Sequence, residues 1–162
     1  MQDESLARFE SIFRIDLDRR FDQTPERVWE TITDSSHVSD WMKYPARIDP
    51  HLGGAIFVDF TPDEPLSGLV CKWEPAKSFA HTWGDSIVEW RIAGDLAGAR
   101  LRLSHIGVRP KFLVGLATGW HTFLDQLEAY LRGETRPDRF KEFEARYKEA
   151  FDPLLNATKD RA

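Results

Sequence analysis

Two histidines occupy positions from which an imidazole can act on a bound molecule. His81 falls between Phe79 and Trp83 in an alternating run, so its ring points where theirs do. His105 shares its parity with Leu101 and Leu103. Where such faces line the concave side of a sheet, a neutral imidazole orients a polar head group or serves as a general base near pH 7. The alternative for each is a core histidine satisfied by a backbone carbonyl or a water. His37 on a short helix, His51 before Gly53-Gly54 and His121 beside an apolar stripe lack paired spacing, so no metal is expected.

The chain carries 6 tryptophans. Trp83, Trp90 and Trp120 fall on inward faces and Trp41 near a cavity mouth, an arrangement suited to boxing a planar apolar ligand. Plain core packing, with each indole N–H paired once, is the competing account. Among the carboxylates in or beside strands (Asp59, Asp63, Asp85, Glu89), Glu89 has the opposite parity to Trp90 and faces solvent, and no buried pair emerges for acid–base work. Arg91, Arg100 and Arg102 fall on the same outer parity. Cys71, the single cysteine, excludes an internal disulfide and reads as a small buried hydrophobe on its strand. No glycine-rich phosphate loop, dinucleotide fingerprint, His-Glu-x-x-His or Gly-x-Ser-x-Gly run is present, so no residue is assigned a catalytic role and no cofactor is expected.

Positioning these side chains falls to a recognisable succession of elements. Phe13, Ile15 and Leu17 alternate with Arg14, Asp16 and Asp18, which predicts a half-buried strand over 11–19. Thr24-Pro25 supplies an N-cap and a first-turn proline for a short helix to about Thr33, and Asp34-Ser35 caps a second that brings Val38, Trp41 and Met42 together. From about Ala46 to His105, strand follows strand with short turns between, as an antiparallel meander requires. Pro110 then opens a long helix whose stripe is Leu113, Leu116, Ala117, Trp120, Leu124, Leu127 and Leu131, with Gly133 as its C-cap. Sheet and helix each have one apolar face, so the helix lies on the sheet.

A chain of 162 residues suits one domain, and its −5 charge, from 27 acids against 22 bases, advertises neither nucleic acid nor an anionic membrane. The start, Met1-Gln2-Asp3-Glu4, lacks the marks of a signal peptide, so a cytoplasmic location is expected. Residues 134–162 are read as a charged C-terminal extension, forming an extra helix beyond the domain of residues 1–133. Within it Phe140, Phe143, Tyr147 and Phe151 share a helical face, which either docks on its own domain or forms a homodimer contact.

Several segments carry a family resemblance. Arg27 to Asp34, running on to Trp41, resembles the first-helix signature of START-like (SRPBCC, helix-grip) domains, more narrowly the AHSA-type branch named after the activator of the heat-shock protein 90 ATPase. Gly68-Leu69-Val70, Pro75, Phe79 and Trp83 resemble that family's central hairpin, and Leu101 to His105 its last strand. Gly119-Trp120, Leu124, Leu127, Tyr130-Leu131 and Gly133 resemble its C-terminal helix. The match implies an α+β helix-grip fold, a curved antiparallel β-sheet wrapped around the long helix with two short helices after the first strand. It also implies a cavity between sheet and helix that mostly takes apolar or amphipathic small molecules.

The resulting expectation is non-enzymatic binding of such a molecule. Leu113, Leu116 and Trp120 form the helix wall, His81, Trp83, Trp90 and His105 the sheet wall, and Trp41 the mouth. A cyclase or hydrolase using a cavity histidine is one alternative, though it needs a second polar group aimed at the same atom. A co-chaperone-like interaction protein is the other, against which stands the lack of the asparagine-rich N-terminal domain of chaperone-activating members.

Overall fold

Local capping sets the first third of the chain. Thr24 accepts a hydrogen bond from the Arg27 amide at 3.2 Å and Pro25 begins α1 (Pro25–Thr33). Asp34 does the same for His37 at 3.0 Å and starts α2 (Ser35–Met42), which Lys43 ends in the left-handed region. A computed structural model of the chain describes residues 11–61 and 63–159; Met1-Gln2-Asp3-Glu4 and the last residues of the tail lie outside the described residues.

The strands are β1 (Phe13–Phe21), β2 (Ala46–Ile48), β3 (Ala55–Val58), β4 (Leu66–Glu74), β5 (Ser78–Trp83), β6 (Ser86–Asp95) and β7 (Gly98–Val108). They form one antiparallel curved sheet in the order β1-β7-β6-β5-β4-β3-β2, so the first strand pairs with the last. That closure is tight: a Cβ on Gly98, whose φ is +145°, would lie 2.2 Å from the Phe21 carbonyl oxygen.

The long helix α3 (Pro110–Arg132) lies in the grip of the sheet and ends at Gly133, φ 65°. Its Trp120, Leu124 and Leu127 join Val28, Ile32, Trp41, Phe79, Trp90, Leu101 and Leu103 in the main core. A final helix, α4 (Phe140–Lys159), packs on α3. It covers a second core of Ile15, Val108, Leu113 and Ala117 with Tyr147, Phe151 and Leu155. The aromatic face of the tail is thus spent largely within its own chain: Phe143 is buried and Tyr147 and Phe151 are half-buried, while Phe140 stays exposed.

The meander begins near Ala46 with the short edge strand β2. One expectation is corrected. Cys71 is exposed, because β4 slips register between Val70 and Lys72 and the cysteine is the residue left over in the bulge.

Candidate functional site

Adjacent strands place the two inward histidines beside each other's neighbours: Val88 of β6 pairs with His81 of β5 on one side and His105 of β7 on the other. Each imidazole is buried and each is claimed by a tryptophan. Trp90 donates its indole N–H to Nε2 of His81 at 3.0 Å, so His81 carries its proton on Nδ1 and donates to the Thr82 carbonyl at 3.1 Å. Trp120 donates to Nδ1 of His105 at 2.9 Å. His105 therefore donates from Nε2 to the Ser86 hydroxyl at 2.7 Å, and Ser86 donates onward to the Trp83 carbonyl at 2.6 Å.

Both rings are neutral and fully satisfied. Burial lowers the pKa of each to about 4, with the neighbouring His81 adding to the effect on His105. A general base needs a free lone pair, and here the one on each histidine already accepts an indole N–H.

Aromatic rings fill the space between sheet and helix. Trp90 stacks on Phe79 with centroids 5.9 Å apart and meets Trp120 edge-on at 5.5 Å; Trp83 contacts Trp120 at 4.9 Å. Trp41 is anchored to the Thr31 carbonyl at 2.9 Å and touches Trp90. The void left among Trp41, His81, Trp83, Trp90 and Trp120 measures about 20 Å³, room for a single water. Leu113 turns away from it toward the second core beneath α4. Among the described residues this void is too small for a ligand because aromatic rings from both walls meet at its centre.

Room next to the aromatic core lies at the mouth; a shallower hollow of about 630 Å³ lies on the charged outer face of the sheet. A pocket of about 570 Å³ opens between the segment Phe60 to Leu66, the β5–β6 turn from Trp83 to Ser86, and the β7–α3 junction with Gly107, Arg109, Phe112 and Leu116. Phe60, Leu66, Trp83, Val108 and Leu116 give it an apolar floor. Its charges are Glu64, Asp85 and Arg109, the last two 3.3 Å apart as a partly exposed ion pair. Of the eight residues expected to touch a ligand, Trp83 and Leu116 line this pocket; Trp41, His81, Trp90 and Trp120 lie behind it and His105 lies deeper in the core.

Comparison with known proteins agrees with this architecture. Residues 22–132 match the family described as Activator of Hsp90 ATPase homolog 1-like protein. The chain belongs to that family. No curated protein matches it. Among solved structures, CalU16 from Micromonospora echinospora superposes with a TM-score of 0.73 at 24% identity, over 88% of each chain. Protein EF2215 from Enterococcus faecalis gives 0.77 at 17% identity over 87% of this chain and 85% of its own. Protein MLL2253 from Mesorhizobium loti gives 0.68 at 23%, over 76% of this chain and 100% of its own. These likenesses share the START-like helix-grip fold.

The matched segment ends at residue 132, the last of α3, and α4 lies beyond it. Where the two helices meet, His121 stacks on Phe143 with centroids 3.9 Å apart and bonds the Tyr147 hydroxyl at 3.0 Å. Among the described residues no group of three or more His, Cys, Asp or Glu is placed to hold a metal ion, and no helix is long and apolar enough to cross a membrane. The mouth residues that sequence patterning missed are Phe60, Arg109 and Phe112. One signal was present: Arg109 stands at the N-cap of α3, where a short polar residue is preferred.

Proposed function

We propose that this AHSA-type protein binds a small amphipathic molecule at the mouth of the grip, without using its histidines for chemistry. The observation that carries this reading is the contrast in volume: about 570 Å³ at the mouth against about 20 Å³ in the interior. The former lies within the usual range for small-molecule sites, roughly 300–1,000 Å³. The apolar body of the ligand lies on Phe60, Leu66, Trp83 and Leu116, with its polar end toward the charged rim. Trp41, His81, Trp90, His105 and Trp120 form the rigid backing that keeps this floor in place, and α4 braces α3.

Native mass spectrometry of protein purified from its own host tests the reading. A co-purifying mass of a few hundred daltons is expected, and Leu116→Trp, which fills the floor, is expected to lose it. Retention of that mass by the Leu116→Trp protein would place the ligand elsewhere and overturn the proposal.

A further inference from the structure

The mouth holds two donor side chains without a hydrogen-bond partner among the described residues, Trp83 and Arg109. Three of the tryptophans at the centre of the grip have their indole N–H occupied: Trp41 by Thr31, Trp90 by His81 and Trp120 by His105. Trp83, which lines the mouth, makes no such bond among the described residues, and its nitrogen is not sealed from solvent. Arg109 makes no side-chain hydrogen bond among the described residues, and its Nε–H is buried without a partner. Its contact with Asp85, at 3.3 Å with side chains 37% and 67% exposed, is an ordinary surface pair that solvent screens.

The Nη end of the side chain, which reaches Asp85 and leaves the side chain 37% exposed, is the part of the guanidinium open to an acceptor brought by a ligand. The planar fork of arginine suits a carboxylate better than any neutral oxygen. Phe112 holds the guanidinium in place, its ring centroid 5.3 Å from the Arg109 Cζ, and the Lys111 ammonium lies 4.9 Å from the same ring. The first turn of α3 carries no acidic residue, so its dipole adds to the positive sign at this end of the pocket. Of the two acids on the rim, Asp85 already faces Arg109 and Glu64 comes from a separate, exposed segment.

Resting on the mouth as the ligand site, we propose that the ligand is an amphipathic carboxylic acid. Its carboxylate takes the Nη–H groups of Arg109, a further acceptor oxygen takes the Trp83 indole N–H, and its apolar body covers Phe60, Leu66 and Leu116. Arg109 is thus the residue that sets the charge of what is bound.

Titration calorimetry at pH 7.5 with decanoate, decanol and decylammonium tests this on the full chain. Decanoate is expected to bind at least tenfold more tightly than the other two. Arg109→Gln removes that preference while decanol binding stays as it was, and Arg109→Lys, which keeps the charge but loses the planar fork, restores it only in part. A thermal melt of each variant checks folding. Equal affinity for the three probes, tighter binding of decylammonium, or a decanoate preference that survives Arg109→Gln overturns the carboxylate assignment while leaving the mouth as an apolar site. Failure of all three to bind, or binding untouched by Leu116→Trp, overturns the mouth itself and this inference with it.

Discussion

Trp120 of α3 donates its indole N–H to His105 of β7 across 2.9 Å, with both residues buried. One hydrogen bond therefore sets the rotation of the gripped helix against the last strand and the tautomer of the histidine together. The parallel bond from Trp90 to His81 lies one strand pair away. Histidine in this core acts as a fixed acceptor, the role its burial and neutrality suit.

Replacing His81 by Phe removes the acceptor and strands the Trp90 N–H in the core. Loss of about 2 kcal/mol is expected from an orphaned buried donor. In the double substitution with Trp90→Phe, donor and acceptor vanish together, so the cost should fall short of the sum of the single changes. Urea unfolding of the four proteins measures the coupling.

Acid should weaken the fold in two stages. His81 and His105 have native pKa values lowered to about 4 from 6.5, so the folded state holds fewer protons than the unfolded one between those values. Their contribution is complete above pH 6.5 and is lost as pH falls toward 4, on the order of 3 kcal/mol for each ring. For Glu89 and Asp16, burial pushes the carboxyl up, but Lys72 and Arg91, or Ser104 and Arg14, pull it below its ordinary value. Their stabilisation is lost only at more acidic pH. Urea midpoints at pH 7.5, 5.5 and 4.5 isolate the first stage, and the His81→Phe protein should show a shallower slope there.

Phe143 is 2% exposed and stacks on His121, so truncation to Ala opens a cavity between α3 and α4. A loss of about 3 kcal/mol is expected by the usual cost of large-to-small core changes. The mouth lies elsewhere, so ligand binding should survive in Phe143→Ala. Chemical denaturation and the decanoate titration read the two effects separately.

Cys71 stands in the β4 bulge with its thiol exposed. A chromogenic disulfide reagent should titrate one thiol per chain in native buffer, as fast as in urea. Slow labelling that accelerates on unfolding would place the thiol inside.

Most of the scaffold was legible because its signals are local. Thr24-Pro25, Asp34 and Gly133 punctuate helices through their own backbone and side-chain chemistry, and the alternation of Ile15 and Leu17, or of Leu101 and Leu103, needs only neighbours two residues away. Parity also set His81 and His105 on the inner face. The fate of that inner space was not legible. Whether Trp90, Trp83 and Trp120 surround a chamber or fill it depends on rotamers chosen where a helix meets three strands. The mouth is harder still, because Phe60, Asp85 and Arg109 sit at the ends of different elements and share no period. A bulge has no sequence mark either, so Cys71 changed face unannounced.

The pairing of Phe21 with Ala99 has a consequence for biosynthesis. As the chain leaves the ribosome, β1 emerges long before β7, its one partner in the sheet among the described residues. It must wait as an open edge, in a topology whose non-local contacts make folding comparatively slow. Exposed Arg14, Asp16 and Asp18 on its outward face are the kind of charges that discourage strand-to-strand association between nascent chains. What later becomes a solvated row of ion pairs with Arg100 and Arg102 first keeps the earliest-made strand from its neighbours on a polysome.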